Sequence, residues 1–187
     1  RSRSLAGEII NQGEAHATRG SYGTRQYTLS QNFGSAESQW LLSGDLLQAD
    51  NDFTYLEPQP VDNPQQPGYE KRYNNESQQY QWLIKGRQAL GDSYLNIAVQ
   101  SGRGKRGLTS RINFPANHAQ LKTDSDSLQL NWQKIWGKEQ KTEISGNIYR
   151  QDQLYDDRDS NIGLGAQLNR YITDGQKFQI NHYMCGD

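Results

Sequence analysis

The chain lacks any run of about 18 consecutive apolar residues, so it encodes no transmembrane helix. It lacks a convincing 3.6-residue period, so no amphipathic helix competes for any segment. One cysteine, Cys185, excludes an internal disulfide and has no activating neighbour in sequence. The three histidines, His16, His118 and His182, are far apart and lack metal-ligand spacing. The glycine-rich "SGRGKRG" (Ser101 to Gly107) lacks Walker spacing and precedes no helix. No catalytic constellation is left, and the chain does not read as an enzyme. Hydrophobic residues are also scarce, at 33% of 187, with a mean hydropathy of -1.01. That is a thin supply for a soluble core. A formal charge of -1 gives no argument for nucleic acid. Plentiful Tyr and Trp argue against a disordered chain. A membrane barrel tolerates low hydropathy, because only alternate residues need be apolar.

What the sequence does hold is alternation of period two. Tyr27, Leu29, Gln31 and Phe33 share one face. Trp40, Leu42, Gly44 and Leu46 oppose Ser43 and Asp45. Tyr80, Trp82 and Ile84 oppose Gln81, Lys85 and Arg87. Leu95, Ile97 and Val99 oppose Asn96, Ala98 and Gln100. Leu128, Leu130 and Trp132 oppose Gln129, Asn131 and Gln133. Ile144, Gly146 and Ile148 oppose Glu143, Ser145 and Asn147. "NIGLGAQLN" (Asn161 to Asn169) continues the pattern, and Phe178 and Ile180 oppose Gln179 and Asn181. Each strand has one apolar and one amide-rich face.

The links alternate in length. "GSAE" (Gly34 to Glu37), "LGDS" (Leu90 to Ser93), "GKEQ" (Gly137 to Gln140) and "TDGQ" (Thr173 to Gln176) are short turns. Longer polar links run from about Asp50 to Ser77, Gly102 to Asp126 and Gln151 to Asp159. Outer-membrane barrels have short periplasmic turns and long outer loops. Phe33, Trp40, Tyr94, Trp136, Tyr171 and Phe178 lie beside the short turns, and Tyr27, Tyr80 and Tyr149 towards the other ends. That is the placement of two aromatic girdles. The expected fold is all-β: about eight to nine antiparallel up-and-down strands forming a partial transmembrane barrel wall over residues 1–187.

"GSYGTRQYTLS" (Gly20 to Ser30), "WLLSGDLLQADNDFTYL" (Trp40 to Leu56) and "KRYNNESQQYQWLIKGRQALGDSYLNIAVQSGRGKRGL" (Lys71 to Leu108) resemble the start of the barrel in TonB-dependent outer-membrane receptors. The likeness lies in order, spacing and local flavour over most of the chain. It implies residence in a Gram-negative outer membrane and uptake of iron–siderophore complexes, cobalamin or a similar scarce nutrient. It also implies that energy coupling to the TonB complex runs through a plug domain preceding Arg1. "LAGEII" is then the plug's tail or its junction with the barrel. The first strand spans roughly Glu8 to Thr18, "RGSYG" is a tight outer loop, and a ninth strand is cut after Asp187. The family barrel has about 22 strands, so the chain supplies a little over a third of the wall.

On this reading the loop aromatics Phe53, Tyr55, Tyr69 and Tyr73 are candidate ligand contacts. Arg103, Lys105 and Arg106 are candidates for an anionic ligand or lipopolysaccharide. No resident cofactor is expected. Loop calcium is the one metal in view, because cobalamin receptors of this family use it. Its candidate ligands are Asp124 and Asp126, with Asp156, Asp157 and Asp159. Two rival readings stay open: a self-contained eight-stranded outer-membrane barrel of structural or adhesive role, and a soluble carbohydrate-binding β-sandwich.

Overall fold

The computed structural model describes residues 10–57, 67–109, 118–136, 140–160 and 162–184. Among them there is no helix. The strands are β1 (Ile10–Arg19), β2 (Arg25–Gly34), β3 (Ser38–Ala49), β4 (Thr54–Glu57), β5 (Gly68–Lys71), β6 (Ser77–Leu90), β7 (Ser93–Gly107), β8 (Gln120–Ile135), β9 (Gln140–Asp157) and β10 (Gln167–Met184). Eight form one antiparallel up-and-down sheet in the order β1-β2-β3-β6-β7-β8-β9-β10. β4 and β5 make a separate hairpin inside the link between β3 and β6. The sheet is open, since β1 does not pair with β10.

The alternation read from sequence is the alternation of the sheet. The register row Leu42–Ile84–Val99–Leu128–Ile148 crosses five strands on one face. One residue along each strand, Leu41–Lys85–Ala98–Gln129–Asn147 crosses on the other. Leu130 and Trp132 share the first face, Asn131 and Gln133 the second. The apolar face is unpacked: Leu29 is 65% exposed and Phe178 69%. The only buried hydrophobic residues among those described are Leu41, Ala49 and Ala119. The accessible surface is 13251 Å², against roughly 9,100 Å² for a compact monomer of this mass. This sheet has no interior of its own.

The apolar band does not follow the register rows. Tyr27, Leu46 and Tyr80 share a row that becomes Arg103, Asp124 and Asp152 on β7 to β9. On those strands the band tops out lower, at Val99, Leu128 and Ile148. On β10 that row ends at Ile172, which with Leu168 and with Leu154 of β9 stands above the band among polar residues of the same face. The continuous apolar run begins six residues on, at Phe178. Six residues over the six steps from β2 to β10 is about one per strand. At ~3.3 Å per residue and ~4.8 Å between strands, the band's upper edge crosses the sheet at about 35°. Strands of closed barrels tilt by this amount from the barrel axis.

Several expectations need correction. β7 runs on to Gly107 and β8 begins at Gln120, so most of the stretch from Gly102 to Asp126 is strand, not loop. β9 likewise absorbs Gln151 to Asp157. β10 passes straight through Thr173 to Gln176, where a turn was expected, and pairs Asp174 with Arg150 and Gly175 with Tyr149. "NIGLGAQLN" is therefore not a strand of its own: Ile162, Leu164 and Ala166 lie in the link before β10. The sheet has eight strands, within the expected eight to nine; the segment expected as a ninth is the second half of β10. Tyr94, Tyr149 and Tyr171 sit on the amide-rich face, so they leave the girdle. Phe33 and Trp40 at one end, and Tyr27 and Tyr80 at the other, stay on the apolar face; Phe178 is on that face too, but as the upper edge of the band on β10, so it leaves the girdle beside the short turns. Within the described residues the first strand runs from Ile10 to Arg19, one residue past the expected Thr18. Glu8, most of "LAGEII", the "GKEQ" turn as far as Glu139, and Cys185 lie outside the described residues.

Candidate functional site

The links at one end of the sheet build a cluster. Between β1 and β2, Tyr22 adopts φ 55° and Gly23 φ 69°. A Cβ on Gly23 would sit 2.0 Å from the Asp50 carboxylate, so this close turn requires glycine. The Tyr22 carbonyl accepts hydrogen bonds from the Asp50 and Asn51 amides at 3.1 and 3.0 Å. That ties the first turn to the end of β3. Tyr22 then meets Phe53 edge-on, with centroids 5.8 Å apart, and Phe53 meets Tyr55 at 6.4 Å. The Arg72 guanidinium lies 5.8 Å from the Tyr55 ring centre and donates to Thr109 Oγ1 at 2.5 Å.

The base of the long link is held by amides. Asn51 Nδ2 donates to the Asn75 carbonyl at 2.9 Å, and Asn75 Nδ2 returns a bond to the Asn51 carbonyl at 3.2 Å. Asn74 Nδ2 donates to the carbonyls of Leu108 and Ala119, joining this link to the one between β7 and β8. Lys71 lies 2.6 Å from Asp52 across the mouth of the β4–β5 hairpin. The hydrogen bond from Lys71 lowers the Asp52 pKa below its usual value, and the same bond raises that of Lys71.

Of the four loop aromatics expected as candidate ligand contacts, Phe53 and Tyr55 join this cluster. Tyr69, 80% exposed, and Tyr73 stand outside it. Tyr22 and Arg72 are members that the sequence reading missed. Tyr22 does carry a signal, as the one ring in the tight "RGSYG" turn.

The expected basic loop is not a loop. Arg103 and Lys105 project from one face of β7 and Arg106 from the other. Arg103 makes a two-pronged contact with Asp126, both arms at 3.0 Å, and reaches Asp124 at 3.7 Å. Ser101 also donates to Asp126, at 2.5 Å. Asp124 and Asp126 are thus mid-strand residues of β8.

The other acidic residues are engaged separately. Asp156 holds Arg158 at 2.9 Å. Asp157 accepts the amides of Ile162 and Gly163 at 3.0 and 2.8 Å. Asp159 pairs with His118 at 2.8 Å. The expected convergence of carboxylates on calcium is not formed. Among the described residues no three His, Cys, Asp or Glu side chains group to hold a metal.

A second feature lies on the apolar face. An open groove of about 600 Å³ has Val99, Leu128 and Ile148 in its lining, with Trp82, Asp126, Arg150 and Asp174 around them. In comparison with known proteins, the chain matches no family model and no curated sequence.

Proposed function

We propose that this chain is part of the wall and outer loops of an outer-membrane receptor of the TonB-dependent type. Such a receptor takes up a scarce metal chelate or vitamin. One observation carries the membrane half of that reading. An apolar band lies exposed across the sheet from β2 to β10, opposite an amide-rich face, with its upper edge oblique to the register rows. Lipid covers such a face without needing a second sheet, and a tilted wall gives the slope. A soluble protein rarely leaves so broad an apolar face open. The receptor half rests on the sequence resemblance and on the long, aromatic links gathered at one end. In this reading Tyr22, Phe53, Tyr55 and Arg72 form the ligand-facing surface. The wall strands supply position, not chemistry.

The membrane half is tested with single cysteines at Leu130 and Asn131, placed in a Cys185→Ser background. Each is labelled with an environment-sensitive dye, and the chain is reconstituted with brominated lipid. Quenching at 130 and none at 131 is expected. Equal quenching, or the reverse, would sink the assignment.

The count of eight strands favours one other reading, a self-contained barrel of the smallest outer-membrane size. It requires β1 to meet β10. A Gly13→Cys, Met184→Cys pair, also in the Cys185→Ser background, tests this: Gly13 shares its register row with Gln176, and the stagger of about eight residues that closes a tilted eight-stranded barrel brings it beside Met184 instead, so oxidation in lipid would join the two cysteines in a closed barrel and leave them free in a partial wall.

A further inference from the structure

Two left-handed asparagines stand at the feet of the link between β3 and β6. Asn51, at φ 53°, lies just after β3, and Asn74, at φ 50°, just before β6. Residues other than glycine rarely take this conformation, and asparagine tolerates it best among them. Asn51 Nδ2 stays within its own link, on the Asn75 carbonyl and Ser77 Oγ. Asn74 reaches out of it. Its Nδ2 donates to the carbonyls of Leu108, at 2.9 Å, and Ala119, at 2.7 Å, which uses both of its hydrogens. Those residues follow β7 and precede β8, and the Leu108 amide donates to the Ala119 carbonyl at 2.9 Å. So one side chain grips both feet of the next link.

Gly107 leaves room for this grip. A Cβ there would lie 2.5 Å from the Asn74 carbonyl oxygen and 2.6 Å from Asn74 Oδ1. Two residues before Asn74, Arg72 carries the grip to the rings. Its amide donates to the Phe53 carbonyl at 2.9 Å, and its guanidinium bonds Thr109 and lies by the Tyr55 ring. Position 74 thus makes two demands, a left-handed backbone and two N–H donors on a short side chain. Glycine meets only the first. Aspartate has the shape but no donor.

We propose that Asn74 is the positioning residue of the ring cluster. By clamping the foot of one link to both feet of the next, it fixes Arg72, and through Arg72 it sets Phe53 and Tyr55 against Tyr22. The inference rests on the receptor reading for calling these rings ligand-facing, and it adds how they are held. The ligand then meets a surface set before it arrives, which spares binding the cost of ordering the links.

The test uses the full chain in phosphatidylcholine bilayers, with fluorotyrosine in place of tyrosine. Asn74→Asp keeps the shape and turns an oxygen towards two carbonyls. Asn74→Gly keeps the backbone and drops both bonds. In each, the fluorine lines of Tyr22 and Tyr55 should shift. The Arg72 and Leu108 amides should exchange about tenfold faster or more, the scale of two lost hydrogen bonds. The lines of Tyr27 and Tyr80, on the wall, should stay. A ferric tris-catecholate or cyanocobalamin should move the Tyr22 and Tyr55 lines of the unsubstituted chain. It should bind Asn74→Asp about tenfold more weakly or worse, since the rings must then be ordered on binding.

Unmoved Tyr22 and Tyr55 lines in both variants would overturn the proposal. So would equal shifts at Tyr27 and Tyr80, because Asn74 would then hold up the whole sheet and not the rings. Displaced rings with undiminished binding would overturn it too. Rings that follow Asn74 in a chain that neither probe touches would support the positioning and defeat the receptor reading alone.

Discussion

At the scale of single residues, the glycines on the apolar face divide into seats and gaps. Gly86 lies opposite Trp40, and a Cβ there would come within 2.5 Å of the indole ring. The ring lies across the bare backbone, and Trp40 Nε1 donates to Ser38 Oγ at 3.1 Å. Gly146, also on the apolar face, has nothing within 4 Å of such a Cβ. Gly86→Val should therefore expel the indole and cost about 1–3 kcal/mol, the usual scale for overpacking. Gly146→Ala should be neutral or stabilise by up to about 1 kcal/mol, since a strand glycine carries an entropic cost. Urea unfolding in lipid measures both, and a matching shift in tryptophan emission should accompany only the first. Equal effects at the two sites would show that Trp40 is not seated on Gly86.

At the scale of elements, the two faces of β2, β3 and β6 to β10 were legible in sequence; those of β1, where "GEAHAT" alternates weakly, and the ends of the long strands were not. Inside the apolar layer the two faces differ, so Leu128, Leu130 and Trp132 announce a strand. Beyond the apolar band both faces are polar. Thr123 to Ser127 on β8 and Gln151 to Tyr155 on β9 then show no alternation, although backbone pairing continues unbroken. Polar composition reads as loop where hydrogen bonding still says strand. "TDGQ" misled for another reason. Gly175 is not a turn residue but the seat of the Tyr149 ring, to which a Cβ would come within 2.1 Å. The candidate site was half legible, because links this far apart in sequence meet only once the sheet is built. The β4–β5 hairpin offers the pH test at this scale. Asp52 has a lowered folded pKa, so its contact with Lys71 stabilises the hairpin above the unfolded value of 3.8. That stability is lost as pH falls through the lower folded value. Lys71 has a raised folded pKa, so its share is complete below 10.5 and is lost only as pH rises beyond that. Amide protection at Asp52 and Lys71, exchange taken relative to its intrinsic rate at each pH, should stay flat between these limits and fall outside them. Asp52→Asn should abolish the acid limb. An acid limb that survives the substitution would assign the change to another group.

At the scale of the whole molecule, the open sheet and the oblique band constrain each other. A flat sheet lying on a membrane would expose one face evenly, and its band would follow the register rows. A sheet standing in a membrane has to tilt its strands, and its apolar edge then cuts the rows at the tilt angle. The edge here falls six residues over six strand steps, an average of one per strand, and for a sheet standing in a membrane that average corresponds to a tilt of about 35°. Both outer strands, β1 and β10, keep a row of unpaired backbone groups. Such edges are unsatisfied in lipid, so more strands or a second copy must cover them for the sheet to stay in the bilayer. Polarised infrared absorption of oriented bilayers containing the chain measures the angle directly. The amide I dichroism should give strands inclined at about 35–45°. Strands lying near the membrane plane would place the band on the surface instead of across it. Absence of orientation would place the sheet outside the bilayer, and either result would remove the wall on which the receptor reading stands.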